Sequence, residues 1–479
     1  MAPCSARDAI SLEPAGTFHT GVHKQSAAEI PSYCAKTQRI FVVNAESGRV
    51  DVLKLGDDGS LTKVASIDAA ADLSNALSAV NSVSVCNGTL AVAVEAATLT
   101  DPGRLAFYDT QTLTLKGSIE AGALPDMVTF TPDGRWVLVA NEGEPNEDYT
   151  IDPEGTITIA NVQNGFEQPT VRTVTFREWN ADGKHAHQVS ELKERGLRII
   201  GQISTPGDLN KKTPSSFSQD VEPEWITVDS DSRFAYVCLQ EANAVAEIDI
   251  AAAHVRRILP LGYKHFGDAG NGIDPSDQDD QIDIRPRPGL YGILQPDTIR
   301  LYEKDGRRFL VTANEGDSRV RPSSDESIAG FDEGDIFQDE AHITDWPTTG
   351  TRFEKQASDQ ELGRLTLVRD AIDAHLDEAG HPTQLFAFGG RSFSIVDLAT
   401  GNLVFDSGDA FETITAKRHP EYFNVSNDSL KKEKRSRSKG PEPEGLVLGT
   451  IGNKTYAFIG LERIGGIMVY DITHPASST

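Results

Sequence analysis

The sequence predicts an all-β fold: a seven-bladed β-propeller of four-stranded antiparallel blades with one short helical insertion. Three observations predict it. The phrase Val137-Leu-Val-Ala-Asn-Glu-Gly143 returns as Val311-Thr-Ala-Asn-Glu-Gly316, each time after a Pro-Asp step and a turn. β-rich runs bounded by turn residues recur in groups along the chain, and four consecutive antiparallel strands make one propeller blade. The last group shows three strands, while the N-terminus carries a spare strand-like stretch. Joining the two would close the ring and remove an unpaired sheet edge, so residues 1–479 read as a single domain.

Taken in order, the spare stretch is 10–19, Ile10-Ser-Leu-Glu-Pro-Ala-Gly-Thr-Phe-His19, expected as the closing strand of the last blade. The first unit comprises 28–33, Arg39–Glu46, Gly48–Leu55 and Leu61–Ile67. The second comprises Ser82–Cys86, Thr89–Glu95, Arg104–Asp109 and Leu113–Ile119. The third starts at Pro125, carries the Pro132-Asp-Gly134 hairpin signal and ends at Gly155–Ala160. The fourth runs from Pro223 through Ala235–Glu241 to Ala246–Ile250, and the fifth from Pro296 through Phe309–Glu315. The sixth reads as Gln384–Arg391, Ser394–Asp397 and Asn402–Phe405, and the seventh as Pro443–Leu448, Tyr456–Glu462 and Gly466–Asp471. Insertions are expected at 177–222, 262–295, 316–383 and 424–440, the first with a short helix over 186–195 stopped by Gly196.

A formal net charge of -27, from 72 Asp and Glu against 45 Lys and Arg, argues against sequence-independent binding to nucleic acid or anionic lipid, because like charges repel. Cations and cationic partners are favoured; the alternative is an acidic surface that serves solubility alone. No run approaches the roughly 18 apolar residues of a membrane span, so no membrane insertion is expected, and the sequence reads either as cytoplasmic or as exported with its signal trimmed. Cys4, Cys34, Cys86 and Cys238 are too scattered for a zinc site or a disulfide framework.

Strands after each hairpin turn end at Glu46, Glu95, Glu142, Glu241, Glu315 and Glu462, with Gly389-Gly-Arg391 in that place in the sixth unit. Equivalent strand ends share one face of a propeller, so these carboxylates are expected to ring it. A second set, Asp126, Glu224, Asp297 and Glu444, follows proline at the start of an innermost strand. Carboxylates this dense raise one another's pKa unless a divalent cation or arginines sit among them. Arg319, Arg391 and Arg463 are available; they would either hold a phosphate beside a metal or clamp glutamates of the next blade. A separate candidate calcium loop places Asp268, Asn271, Asp274, Asp277 and Asp279 among glycines and small residues. Its oxygen-only, irregular spacing suits Ca²⁺, and a merely solvated acidic loop is the other reading. The basic run Lys431–Lys439 reads as a mobile loop or one docked on the acidic surface. No Gly-x-Ser-x-Gly, Walker or His-Glu-x-x-His motif is present in the sequence.

Ala28-Glu-Ile-Pro-Ser-Tyr33, Leu124-Pro-Asp-Met-Val128, Ala140-Asn-Glu-Gly-Glu-Pro145, Val221-Glu-Pro-Glu224, Asp274-Pro-Ser-Asp277, Ala313-Asn-Glu-Gly-Asp-Ser-Arg319, Gly390-Arg-Ser-Phe-Ser-Ile395, Gly440-Pro-Glu-Pro-Glu-Gly445 and Leu461-Glu-Arg-Ile-Gly-Gly466 together resemble the choice-of-anchor I family, over nearly the whole chain. The resemblance implies a propeller, export to an extracellular, periplasmic or cell-surface location, and kinship with atypical alkaline phosphatases and phytase-like esterases. On that reading Asp126, Asp297 and Glu444, with Glu142, Glu315 and Glu462, would hold Ca²⁺ or another divalent cation. Arg319, Arg391 and Arg463 would bind the phosphate of a small phosphorylated molecule. Two calcium-like loops of relatives are replaced here by Asp370–Gly380 and by the basic run at 431–439, which puts calcium dependence in question. The two functional expectations are a metal-dependent phosphoesterase and a non-catalytic monomeric module that binds a cell-surface partner.

Overall fold

The computed structural model describes residues 10–23, 25–73, 77–322 and 336–479. The protein is all-β and built mainly of four-stranded antiparallel sheets, joined by five short α-helices among the described residues. The first sheet holds Pro31–Cys34, Arg39–Asn44, Arg49–Leu55 and Leu61–Ile67; the second Leu77–Cys86, Thr89–Ala96, Pro102–Asp109 and Leu115–Ala123. The third holds Pro125–Phe130, Trp136–Asn141, Thr156–Asn161 and Thr170–Thr175, and the fourth Pro223–Val228, Phe234–Leu239, Ala244–Asp249 and His254–Pro260.

The inner strands of the second, third and fourth sheets exist because both of their faces are buried. In Thr89–Ala96, Leu90, Val92 and Val94 join a core shared with Phe41, Val43 and Val52 of the first sheet. The intervening Ala91 and Ala93 join Val128, Val137 and Val139 of the third. Alternate residues therefore serve alternate interfaces, and the strand reads as a nearly unbroken apolar run. The same device joins sheets three and four around Leu138, Ile157 and Val237, with Trp179 and Phe217 from the insertion between them. It recurs further on, around Tyr236 and Leu310, then around Val311, Phe393 and Ile459.

The expected seven units resolve differently in the second half. Ile299–Lys304, Arg307–Asn314, Ser392–Asp397 and Asn402–Asp406 form one sheet, so the fifth and sixth units are halves of a single sheet. Leu385–Phe388 instead pairs in parallel with Leu290–Ile293. With Tyr263–His265, Leu367–Val368 and Glu340–Ala341 it makes a five-stranded accessory sheet. The insertions at 262–295 and 316–383 thus build, with Leu385 and Phe386, a separate core around Phe266 and Phe353; residues 323–335 lie outside the described residues. The final sheet has three strands, Pro443–Ile451, Lys454–Leu461 and Ile467–Asp471. The expected closing stretch 10–19 forms no strand: Ala15 and Gly16 lie against Gly59 at the hairpin tip of the first sheet. The far face of the last sheet accordingly leaves Val447 54% and Ile467 58% exposed. In the insertion at 177–222, Val189–Glu194 is helical and Gly196, at φ 104°, ends it, as its spacing predicts.

Candidate functional site: a divided acidic cleft

The repeated Asn-Glu-Gly phrase has a local logic. Asn141 is buried and donates to Thr156 and Thr158 hydroxyls on the neighbouring strand. Asn314 donates to the hydroxyls of Ser392 and Ser394 in the same way. The asparagine staples the second strand to the third, the left-handed glycine (φ 74° at Gly143, 90° at Gly316) turns the chain away, and the glutamate between them is left at the strand end.

The innermost strands start with a second repeated device. Leu124, Glu222, Gln295 and Glu442, each preceding a proline, have φ of 46°, 35°, 39° and 50°. Left-handed backbone costs a non-glycine residue about 1 kcal/mol or more, so the packing of each sheet imposes it. In three of the four, the strand pairing slips just after the proline, at Pro125, Pro223 and Pro443. Such a bulge re-aims the next side chain, here Asp126, Glu224 and Glu444.

Together these devices produce two carboxylate sets rather than one continuous ring. In the first, Glu142, Glu224 and Glu241 bring one carboxylate oxygen each within 4.8 Å of one another; in the second, Glu315, Glu442 and Glu462 do the same. Asp126 faces Glu144 and Glu29, and Asp297 faces Glu315 and Glu444. The two remaining strand-end glutamates stand apart: Glu95 accepts from Ser78 and Asn81, and Glu46 is exposed in a 3-10 turn.

The electrostatics of the two sets differ. Burial, then Glu241 and Glu142, push Glu224 well above the carboxylate range; burial, then Glu144 and Asp126, do the same to Glu142. Burial raises Glu241 to about 7, against the pull of Arg319, and Asp126 to about 6. Among the described residues the Glu241 Oε2 is buried without a hydrogen-bond donor, and the cation paired with it is Arg319 at 3.9 Å. In the second set burial works against Glu442 ionising, but Lys439 and Arg435 hold its carboxylate low. Arg435 and Arg463 contact it through Nε at 2.6 and 2.8 Å. Burial lifts Glu444 to about 8 and Glu462 to about 7 beside this cationic group.

The three arginines expected to receive phosphate are all engaged by the protein. Arg319 binds Asp220 through its side chain and main-chain oxygen and pairs with Glu222 at 2.8 Å. Arg391, 3% exposed, points into the insertions, where its two terminal nitrogens donate to Glu412, Asp274 O, Ser436 O and Ser438 O. Arg463 pairs with Glu442 and Glu462. The loop at 268–279 is dispersed. Asp268 faces His265, Asn271 donates to the His265 carbonyl, and Asp277 faces Arg364, Lys431 and Arg437. Asp274 accepts from Ser276 and Asp283 main-chain N–H, and burial with Glu412 nearby raises it to about 7. Asp279 keeps one buried oxygen without a donor. Among the described residues these side chains do not converge as the two cleft sets do.

The chain matches the choice-of-anchor I domain over residues 29–475. It belongs to that family. It is 30% identical over 334 residues to a mesenchyme-specific cell surface glycoprotein of Strongylocentrotus purpuratus, covering 64% of this chain and 41% of that protein. It is 33% identical over 117 residues to Gigasin-3a of Magallana gigas, covering 23% of this chain and 40% of that one. The choice-of-anchor I chain thus spans about two fifths of the curated relatives it matches. A Lactobacillus plantarum protein of known structure aligns with a TM-score of 0.34 at 13% identity over 60% of this chain and 64% of that one. Among the described residues no helix is long and apolar enough to cross a membrane.

Glu241 and Glu442 carry the site as much as any residue the sequence singled out for metal. Glu442 had a signal of its own: Glu222-Pro-Glu224 and Glu442-Pro-Glu444 are the same tripeptide at the start of two innermost strands.

Proposed function

We propose that this choice-of-anchor I protein is an extracellular β-propeller module that binds one divalent cation, calcium in the first instance, at Glu142, Glu224 and Glu241, and presents the loaded cleft to a cell-surface partner. The observation that carries the reading is the first carboxylate set. Its three oxygens lie within 4.8 Å of one another, a span a single ion can bridge at the 2.3–2.6 Å typical of calcium. It also retains a buried, donorless Glu241 oxygen. Three carboxylates crowded without a compensating cation either keep protons or gain a metal. The propeller arrangement is supported by inner-strand carboxylates of different sheets sensing one another, as Asp297 senses Asp126. An extracellular setting is supported by the family and by the cell-surface relative.

The phosphoesterase reading is the weaker one, because Arg319 and Arg391 spend their donors on Asp220, Glu222, Glu412 and main-chain oxygens. Calorimetric titration of calcium into chelator-stripped protein tests the proposal. One equivalent is expected to bind, Glu224→Gln is expected to weaken it at least tenfold, and no turnover is expected on phosphomonoesters or phosphodiesters. Absence of binding would refute the cation site, and chelator-sensitive turnover would restore the hydrolase.

A further inference from the structure

The second carboxylate set has the same composition as the first, yet cations surround it: Arg435 and Arg463 on Glu442, and a lysine that enters the set itself. Lys439, the last residue of the basic run, reaches into it and is only 13% exposed. Its ammonium donates to Glu315 Oε1 and the Gly316 carbonyl, both at 2.6 Å, and lies 3.5 Å from Glu442 Oε2 and 3.7 Å from Asp317 Oδ1. An ammonium surrounded by four oxygens, two of them from the three-carboxylate set, stands where a hard cation would stand.

The loop that delivers it is fixed at several points. Arg391 takes the carbonyls of Ser436 and Ser438. Arg435 donates main-chain N–H to the Asn424 carbonyl and its Nε to Glu442, and the Arg437 carbonyl accepts from Thr366. Lysine is a compact point charge on a flexible stem, so a rigid loop can deliver it as a permanent counter-ion.

We propose that Lys439 is a tethered cation that occupies the Glu315–Glu442–Glu462 set and so limits the cleft to one free divalent ion. The inference rests on the cation reading of the first set and explains why two similar sets would differ in occupancy. Glu442, held by Arg435 and Arg463 as well, is the anchor that Lys439 shares with them. Removing the ammonium leaves Glu315 without its charged donor, while Arg435 and Arg463 stay on the far side of the set, on Glu442 and Glu462.

The test titrates calcium chloride into chelator-stripped wild type, Lys439→Met, Lys439→Arg and Glu224→Gln, reading stoichiometry by calorimetry and melting temperature with and without 1 mM calcium, a concentration of roughly the order used by extracellular calcium modules. Lys439→Met is expected to bind one equivalent more than wild type and to regain on calcium addition the melting temperature it loses; Lys439→Arg keeps the wild-type stoichiometry. An unchanged stoichiometry in folded Lys439→Met overturns the inference while leaving the first site standing. Should Lys439→Met not fold, Glu224→Gln decides: one equivalent bound there at wild-type affinity would mean the second set is open beside Lys439, and overturns the inference. Wild type without binding but Lys439→Met with one equivalent refutes only the first site.

Discussion

Shifting the pH from 8 to 6 provides a direct test of the proposed cation site, because protons would compete with calcium for the same oxygens. Glu241 is raised to about 7. The apparent dissociation constant carries a factor of one plus the ratio of protonated to ionised Glu241, roughly 11 at pH 6 and roughly 1.1 at pH 8. Calcium affinity is therefore expected to fall about tenfold over this window from Glu241 alone. Glu142 and Glu224, also raised, steepen the dependence. Calorimetry in two buffers of different ionisation enthalpy should detect about 0.9 proton released per calcium from Glu241 at pH 6 and about 0.1 at pH 8.

The calcium-free protein behaves in the opposite sense. A carboxyl whose folded pKa lies above its unfolded value contributes stability that is full below about 4.5 and is lost as pH rises through the folded value. For Glu241, from 4.5 to about 7, that is on the order of 3 kcal/mol. Carboxylates held low, such as Asp277 and Glu442, change charge below this window. Melting of stripped protein should thus drop between pH 5 and 8, and saturating calcium should remove the drop. Calcium affinity that is flat from pH 6 to 8, or stripped protein that grows more stable over that range, would refute the assignment of the cleft.

Two further perturbations separate structural from functional residues. Arg391→Met takes from buried Glu412 its cation, leaving it Asn424 and the Asp274 main-chain N–H, and takes the arginine donor from three carbonyl oxygens, a loss of about 3–5 kcal/mol; urea unfolding should show a lower midpoint, while calcium affinity of the folded variant stays within about twofold of wild type. Deleting residues 1–20, of which the described part is unpaired and mostly exposed, should change the unfolding free energy by less than about 1 kcal/mol. A larger loss in the same denaturation assay would restore the segment as a ring-closing strand.

Strand identity was legible in the sequence because burial on two faces leaves a local trace, as Leu90, Val92 and Val94 alternate with Ala91 and Ala93 between two cores. Partner choice leaves no such trace. Gln384–Arg391 reads as a strand in either setting, and what decides its fate is Leu290–Ile293, some ninety residues earlier, which takes Leu385–Phe388 in parallel and leaves Ser392–Asp397 to complete the fifth sheet. The same limit applies to charges. Arg319, Arg391 and Arg463 occupy comparable places after strand ends, yet Arg391 is claimed by Glu412 on the helix Ala410–Arg418, a partner that no periodicity indicates. Where chemistry was legible, it was where backbone and side chain are specified together. Glu222-Pro-Glu224 and Glu442-Pro-Glu444 each fix a left-handed residue, a proline and a bulge before a carboxylate, and each contributes one residue to one of the two sets. The second glutamate of the first tripeptide and the first glutamate of the other are the ones used. This offset accompanies the difference in surroundings: Glu442 faces Lys439, Arg435 and Arg463, while Glu224 faces Glu241, Glu142, Cys238 and Asp297.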